Sequence, residues 1–224
     1  MSDLSKRVLS GVLLAGILLG DLWLGAGWFA GLLLVVGVLV LREWVRLVAG
    51  FETSMAARVA WDIAGVAYIA LAIVALWALR ARPEDGLLYT TYVFLAVWSV
   101  DIGAFAVGRA VGGPKIAPAI SPSKTWAGLI GGIVGAVLVT LAFGWWRTGV
   151  VPASPWALIA ATLWGGAIAL VAQAGDFFES WMKRRAGVKD SGTMIPGHGG
   201  LFDRVDGLLP VAILAGGAAA AGWL

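Results

Sequence analysis

Long apolar segments, separated by short turns rich in glycine, proline and charged residues, follow one another along almost the whole chain. Each segment is apolar on most of its faces over about 20 residues, which is the length that an α-helix needs to cross a bilayer. Helices satisfy their own backbone hydrogen bonds in lipid, whereas lone strands cannot. The pattern therefore predicts an all-α, polytopic integral membrane protein with about seven transmembrane helices. The predicted spans are roughly 8–24, 27–48, 56–79, 86–108, 125–146, 155–178 and 205–223.

Composition supports the membrane interpretation. Of the 224 residues, 60% are hydrophobic and only 13% are charged, which is more apolar than a soluble protein. We expect a single membrane-embedded domain over residues 1–224. The absence of cysteine excludes disulfides and thiolate metal sites, and the presence of one histidine excludes sites that need two histidine ligands.

The basic residues indicate the orientation in the membrane. If the N-terminus is cytosolic, the outer segments hold only Arg80, Arg82 and Arg147, and the other Lys and Arg residues fall on the cytosolic side. Cytosolic loops are enriched in Lys and Arg. We therefore expect a multi-pass protein of the inner (plasma) membrane, with a polar site that faces the cytosol.

Aspartates in or near the predicted spans need a reason, because a carboxylate at the centre of a membrane helix costs at least about 2.5 kcal/mol. Asp21 and Asp62 lie near span ends, where an interfacial charge is the simpler interpretation. Asp101 lies in the last turns of its span, close to Gly103 and Gly108. We expect it at the rim of a site.

The segment "AGDFFESWMKRR" predicts an amphipathic continuation of the sixth span. Asp176, Glu179, Ser180 and Lys183 are spaced i, i+3, i+4 and i+7, which places them on one helix face. A solvated face held by a Glu179–Lys183 pair is the alternative. It explains Glu179, but not an aspartate that lies deeper than the basic cluster.

The run "KDSGTMIPGHGGLFDRVDG", residues 189–207, is unusually polar and glycine-rich for this chain. Asp203 and Asp206 are spaced i and i+3, and with Asp176 they would form an oxygen cage suited to Mg²⁺. Gly199 and Gly200 allow a backbone to approach a ligand closely.

Cationic side chains surround these carboxylates and can bind phosphate. They are Lys183, Lys189, His198 and Arg204. Carboxylates for a metal together with cations for phosphate indicate phosphoryl or nucleotidyl transfer. The alternative is a set of Asp–Arg pairs at a membrane surface.

The segment "ISPSKTWAG" predicts a helix start, with Ser121 as N-cap and Pro122 at the first helical position. Lys124 would then lie in the first turn, where the helix dipole disfavours a cation. A phosphate bound at this helix end would explain the lysine. A plain cap without a ligand is the alternative.

Glycine pairs with GxxxG spacing occur at Gly16/Gly20, Gly27/Gly31 and Gly128/Gly132. Such pairs let helices approach closely, either across a dimer interface or within one protomer. Packing within one protomer is the preferred interpretation for any single pair.

The segment "SWMKRRAGVKDSGTMIPGHGGLFDRVD", residues 180–206, resembles the full signature of the phosphatidate cytidylyltransferases, or CDP-diacylglycerol synthases. The segments "SPSKTWAG" and "GDFFES" resemble two further blocks of that family, and Asp101 lies in a segment similar to another. The resemblance covers roughly residues 98–207. Residues 1–97 carry no motif that matches. The positions that match the signature are Ser180, Lys183, Arg184, Lys189, Asp190, Gly192, Pro196, His198, Gly199, Gly200, Asp203, Arg204 and Asp206.

The resemblance implies a membrane enzyme of phospholipid biosynthesis that converts CTP and phosphatidic acid to CDP-diacylglycerol and pyrophosphate, with Mg²⁺ as cofactor. It also implies a homodimer and a divalent site near Asp176 and Asp203, with a monovalent cation such as K⁺ as a further expectation. The expected partners are CTP, phosphatidic acid and membrane lipid, and no nucleic acid.

Motif and chemistry together assign roles to the site residues. The expected catalytic residues are Asp176, Asp203, Lys189 and Ser180. The expected metal ligands are Asp176, Asp203 and Asp206. The residues expected to bind substrate are Ser121, Ser123, Lys124, Asp101, Lys183, Arg184, His198, Gly199, Gly200 and Arg204.

Two other functions remain as alternatives. A CTP-dependent isoprenoid-lipid transferase or kinase would use the same chemistry on another lipid. An ion or anion transporter would instead place polar residues at mid-membrane on paired broken helices, whereas here they gather at the predicted cytosolic ends. The chain has no Walker A loop and no G-x-S-x-G motif.

Overall fold

Helices dominate the structure, as predicted. A computed structural model describes residues 3–149, 154–195 and 199–223. Two short strands are the exception to the all-α prediction. The elements are α1 (Asp3–Leu24), α2 (Ala26–Ala49), α3 (Met55–Arg80), α4 (Gly86–Val111), β1 (Lys115–Ala117), β2 (Ser121–Thr125), α5 (Trp126–Thr148), α6 (Pro155–Arg185), α7 (Phe202–Val205) and α8 (Leu208–Ala220).

Among the described residues, four helices are long and apolar enough to cross a membrane: α3, α4, α5 and α6. Their boundaries agree with the third to sixth predicted spans to within a few residues, except that α6 continues to Arg185. That continuation is the predicted amphipathic extension. The structure is thus that of a helical membrane protein, and the total of seven spans stays a prediction.

The predicted last span, residues 205–223, corresponds to α8, which begins and ends three residues inside the predicted bounds. The chain forms the short helix α7, passes through Asp206 and Gly207, and begins α8 at Leu208. Pro210 gives a physical reason, because it has no N–H to donate to the carbonyl of Asp206 and is tolerated only in a first helical turn.

The predicted helix start at Ser121 is also wrong. Residues Ser121–Thr125 form β2, which pairs antiparallel with β1 in a two-stranded sheet. Pro122 is tolerated there because both strands are edges. Helix α5 begins only at Trp126, and its N-cap is Thr125, whose hydroxyl accepts the N–H of Gly128 at 3.0 Å.

Glycines bring α4 and α5 into direct backbone contact. A Cβ atom on Gly103 would lie 2.9 Å from the carbonyl carbon of Gly131, and one on Gly128 would lie 3.0 Å from the Ala104 carbonyl oxygen. The Gly128/Gly132 pair therefore serves packing within one protomer. No described heavy atom lies within 4 Å of such a Cβ at Gly16, Gly20, Gly27 or Gly31.

An aromatic cluster joins α2, α3, α6 and α7. Trp44 is only 2% exposed, and its ring lies 5.7 Å from that of Phe178 and 5.8 Å from that of Phe202. Its indole N–H donates to the Trp61 carbonyl at 3.0 Å. This packing fixes the C-terminal half of α2 against α6 and α7.

Candidate active site

A polar cavity of about 490 Å³ opens between α4, the β1–β2 hairpin, α5 and α6. The small residues that let α4 and α5 approach also form part of its wall. Its chemistry comes from two carboxylates and several cations on different elements. The lining residues are Asp101, Ala104, Phe105, Gly108, Arg109, Lys115, Ser123, Lys124, Thr125, Gly128, Leu129, Gln173 and Asp176.

Lys124 and Asp176 form an ion pair across this cavity. The lysine also donates to the Gln173 amide oxygen at 3.3 Å and lies 4.6 Å from the Phe177 ring centroid. Ser180 donates to Asp176 at 3.4 Å, one helical turn further along α6. The predicted site residues Ser123, Lys124, Asp176 and Ser180 are therefore brought together, although a strand rather than a helix presents Lys124.

A second, apolar cavity of about 400 Å³ lies between α1, α2, α4 and the start of α8. Asp101 lines both cavities. It interacts electrostatically with Asp176 and Lys124 on one side and with Arg204 on the other. The lining residues of the apolar cavity are Gly11, Ala15, Ile17, Leu18, Phe29, Leu32, Leu33, Val36, Phe94, Val97, Trp98, Asp101, Leu201, Arg204, Val205 and Leu208.

Asp203 is the centre of a hydrogen-bond network. Its Oδ2 accepts the N–H of Ser191 at 3.0 Å, the Ser191 hydroxyl at 2.8 Å and the N–H of Gly200 at 2.8 Å. Its Oδ1 contacts Lys183 at 2.7 Å. Burial alone would raise the pKa of Asp203, but hydrogen bonding with Glu179, Lys183 and the Gly200 N–H, together with the charge of Lys183, outweighs burial and lowers the pKa to about 2. Asp203 is therefore held as a carboxylate.

The alternative interpretation, a solvated face held by a Glu179–Lys183 pair, is wrong in one respect. The pair exists, with 2.5 Å between Lys183 Nζ and Glu179 Oε2. However, the Glu179 side chain is fully buried, and Lys183 also contacts Asp203. Because α7 covers this face of α6, the pair lies inside the protein and connects the two elements.

Glu43 on α2 is a site residue that the sequence pattern did not reveal. It is 4% exposed, and its carboxylate accepts the Ser191 hydroxyl at 2.9 Å and the N–H groups of Leu201 and Phe202 at 3.0 and 2.8 Å. A carboxylate inside the apolar run "VLVLREWVRLV" was an available signal, because such residues are costly in membrane helices.

Several predicted residues do not line either cavity. They are Ser121, Ser180, Lys183, Arg184, Lys189, Gly199, Gly200, Asp203 and Asp206. Arg184 instead donates to the carbonyls of Ile120 and Val188 at 3.3 and 3.4 Å, which ties the end of α6 to the hairpin. His198 lies outside the described residues, whereas Gly199 and Gly200 lie beside Asp203.

The three predicted metal ligands are not equivalent. Asp203 accepts two backbone N–H groups and contacts Lys183 away from the polar cavity, whereas Asp176 lines that cavity and Asp206 lies close enough to Asp176 and Asp101 to interact electrostatically. Burial first, and then the Asp176 carboxylate, raise the pKa of Asp206 well above its ordinary value. Within the described residues, no group of three or more Asp, Glu or His side chains forms a ready metal site. Mg²⁺ binds proteins through one or two carboxylates plus water and substrate phosphates, so Asp176 and Asp206 fit that ion.

Comparison with known proteins gives a consistent family. The chain matches the family model described as "Cytidylyltransferase family" over residues 52–217. It is 41% identical over 190 residues to a protein of Brucella suis named phosphatidate cytidylyltransferase, covering 82% of this chain and 64% of that protein. A Rickettsia bellii protein of the same name is 35% identical over 217 residues, covering 94% and 88% of the two chains.

A third similar protein, from Staphylococcus haemolyticus and also named phosphatidate cytidylyltransferase, is 38% identical over 150 residues. The alignment covers 67% of this chain and 55% of that protein. The chain therefore spans less than two thirds of the length of the Brucella and Staphylococcus relatives, and most of the Rickettsia relative.

Proposed function

Because this chain belongs to the cytidylyltransferase family, we propose that it is a phosphatidate cytidylyltransferase, which transfers the cytidylyl group of CTP to phosphatidic acid and releases pyrophosphate. One observation carries the proposal beyond family membership. A polar cavity and an apolar cavity share the side chain of Asp101. A reaction between a charged nucleotide and a membrane lipid requires two such compartments that meet.

The polar cavity suits CTP. Arg109, Lys115 and Lys124 supply cationic groups for a triphosphate, and Ser123 can donate a hydrogen bond to it. The ion pair with Asp176 and the contact with Gln173 hold Lys124 in place before substrate arrives. Such preorganisation lowers the cost of orienting the nucleotide.

The apolar cavity suits an acyl chain of phosphatidic acid. Its walls are almost entirely hydrocarbon, and its charged lining residues are Asp101 and Arg204. A phosphate head near Arg204 would therefore lie close to the shared wall at Asp101. Branched and aromatic side chains from α1, α2 and α4 would surround the acyl chain.

In the proposed reaction an oxygen of the lipid phosphate attacks the α-phosphorus of CTP. The bond from that phosphorus to the bridging oxygen breaks, and pyrophosphate leaves with the bonding electrons. The nucleophile is already an anion, so no strong general base is needed. The task of Lys124 and Arg204 is to bring two polyanions together and align them.

Mg²⁺ is the cofactor that we propose for this site, with Asp176 and Asp206 as its ligand positions. When bound, it would supply positive charge that offsets the repulsion between the two substrates. Asp203 is assigned instead to holding Lys183, Ser191 and Gly200, because it contacts them and, unlike Asp176, does not line the polar cavity. A monovalent cation such as K⁺ beside the site stays a prediction.

The site is proposed to face the cytosol of the inner membrane, where CTP is available, and the protein to act as a homodimer. The charge asymmetry of the predicted turns supports the orientation. Position 189 is exposed and the chain has no cysteine. A Lys189→Cys variant should therefore react with an impermeant thiol reagent only after the cells are opened. Labelling of intact cells from outside contradicts the orientation.

Purified protein with radiolabelled CTP tests the activity. With phosphatidic acid and Mg²⁺, we expect label in CDP-diacylglycerol and one pyrophosphate released for each lipid formed. An isoprenoid phosphate or diacylglycerol offered in parallel should accept no label. Label in either of those lipids, but not with phosphatidic acid, overturns the proposed substrate.

A further inference from the structure

Glu43 is a buried carboxylate that takes no direct part in the proposed reaction. It lies on α2, before residues 52–217 that match the family model, and is 4% exposed. A buried charge is costly unless hydrogen bonds satisfy it. The partners described for Glu43 all belong to two segments, 191–195 and 199–202, together called the 191–202 loop, so the role of Glu43 concerns these segments.

The hydrogen bonds from α2 to this loop come from two residues on one helix face. Glu43 Oε1 accepts the Leu201 N–H, and Oε2 accepts the Phe202 N–H and the Ser191 hydroxyl, all between 2.8 and 3.0 Å. Arg46, three residues further along, donates to the Ser191 carbonyl. Hydrogen bonds to an ionised acceptor are roughly twice as strong as neutral ones. The loop is therefore held at both its ends.

Ser191 connects Glu43 to the neighbourhood of the proposed site. Its hydroxyl lies 2.9 Å from Glu43 Oε2 and 2.8 Å from Asp203 Oδ2, and the two carboxylates share its one hydrogen. Asp203 in turn contacts Lys183 on α6. Glu43, Ser191, Asp203 and Lys183 thus form one continuous chain of polar contacts from α2 to α6.

Two glycines of the signature fit this arrangement. A Cβ on Gly192 would lie 2.8 Å from Glu43 Cδ, and a Cβ on Gly200 would lie 2.5 Å from Glu43 Oε2. Either contact is closer than real Cβ atoms come. Gly200 was expected to admit a ligand, but here the close neighbour of both glycines is the protein's own carboxylate.

We infer that Glu43 is a positioning residue for cytidylyl transfer, an inference that rests on the proposed function. It holds the 191–202 loop, and through Ser191 the Asp203–Lys183 pair, in the arrangement that the reaction requires. The adjacent Trp44 packs on Phe202 independently of the carboxylate. The helix contact should therefore survive when only the carboxylate is changed.

Glu43→Gln is the first test. The glutamine amide keeps the size of the side chain. However, its NH₂ group donates hydrogen bonds, and here it would face N–H and O–H groups of the loop that also donate. We expect kcat to fall roughly tenfold or more, because a charge-assisted hydrogen bond is lost. KM for CTP should stay within about twofold, since the polar cavity is untouched. Glu52→Gln makes the same change at an exposed position and should leave both parameters unchanged.

Ser191→Ala is a milder second variant. If Glu43→Gln does not fold, the kcat of Ser191→Ala tests the inference. Ser191→Ala should lower kcat in the same way. The double variant should be roughly no worse than the worse single variant, because residues in one network are not additive. Independent, additive losses contradict action through Ser191. A role in stability alone would reduce folded yield but leave kcat per folded molecule unchanged, and that result overturns the inference.

Amide hydrogen exchange separates this inference from the proposed function. The Leu201 and Phe202 amides should lose protection in Glu43→Gln and keep it in Glu52→Gln. If the wild-type protein makes no CDP-lipid, the proposed function is wrong. Amide hydrogen exchange alone then tests whether Glu43 holds the loop. Unchanged protection of both amides then overturns the inference. With an active wild type, a kcat of Glu43→Gln within about twofold of it overturns the inference whatever the exchange shows.

Discussion

The two cavities of this protein have similar volumes, about 490 and 400 Å³, and opposite chemistry. The polar cavity is built on α4, α5 and α6, where glycines bring backbones together and leave room for charged side chains. The apolar cavity is built largely on α1, α2 and α4, whose branched and aromatic side chains form hydrocarbon walls. The contrast indicates that one substrate is a polyanion and the other a lipid.

Asp101 lies where the polar cavity and the apolar cavity meet. A carboxylate in the wall between a polar and an apolar compartment repels one anion unless cations accompany it. Lys124 and Arg204 interact with it from the two sides. If each cavity binds one substrate, a substitution in one cavity should change the kinetic constants for its own substrate more than those for the other substrate.

The largest effect is expected for Asp176→Asn. The change keeps the shape of the side chain and removes the charge that pairs with Lys124 and that Mg²⁺ requires. Activity should fall roughly hundredfold or more, as when an electrostatic group of an active site is removed. The protein should still fold, because the Asp176 side chain is 31% exposed. A steady-state assay of CDP-lipid formation checks this.

Asp62→Asn is the matched control, since it makes the same change on α3, away from both cavities. It should keep nearly full activity. If the Asp176 and Asp62 variants lose activity equally, the polar cavity is not the reaction site.

Lys124→Ala should raise KM for CTP by roughly tenfold, because a charge-assisted contact to phosphate is lost. KM for phosphatidic acid should change much less. Lys115→Ala, the same change at an exposed position of the same cavity, should give a smaller effect in the same direction. An equal rise of both Michaelis constants in Lys124→Ala contradicts a cavity dedicated to the nucleotide.

Asp203→Asn tests the contacts among Asp203, Lys183 and Glu179, which line neither cavity. We expect a loss of roughly 2 kcal/mol in unfolding free energy, because Lys183 keeps Glu179 but loses its second partner. Thermal stability in detergent and CDP-lipid formation should be measured on one preparation. A variant as stable as the wild type but inactive would instead restore Asp203 as a metal ligand.

The difference in unfolding free energy between the wild type and Asp203→Asn should depend on pH. The pKa of Asp203 is lowered from 3.8 to about 2 in the folded state. Its contribution is therefore fully present above pH 3.8 and is lost as the pH falls through 2. The melting temperatures of the wild type and Asp203→Asn should converge over that interval, and a constant difference contradicts the assignment.

Val36→Trp should have the smallest effect, confined to the lipid. Val36 lines the apolar cavity, and the larger ring should raise KM for long-chain phosphatidic acid by a few-fold, with less effect on a short-chain analogue. Overpacking costs roughly 1–3 kcal/mol, so folding must be checked. Val38→Trp, at a 66% exposed position of the same helix, is the control. Equal effects of the two variants would argue against an acyl chain in the cavity.

Hydropathy predicted the long helices well, because span length and side-chain polarity depend on local sequence. Spacing along α6 correctly placed Asp176, Ser180 and Lys183 on one face, since helical periodicity fixes it. The hairpin at Ser121–Thr125 was missed because capping residues are also compatible with an edge strand.

The apolar run around Glu43 could have marked the carboxylate as unusual, but not its role, because its partners at positions 191, 201 and 202 are contacts over long sequence distances. The distinct surroundings of Asp203 and Asp206 were hidden for a related reason. Their spacing suggested one face, whereas the restart of the helix at Leu208 gives each carboxylate different neighbours.

Photocrosslinking with phosphatidic acid that carries a diazirine in its acyl chain tests the central claim most directly. Mass spectrometry should map the crosslinks to residues of the apolar cavity such as Leu33, Val97 and Leu208, and unlabelled phosphatidic acid should suppress them. A phosphatidylcholine with the same acyl diazirine should mark exposed positions such as Val66 and Ile130 instead. If both lipids give the same map of exposed positions, the apolar cavity does not hold the lipid substrate.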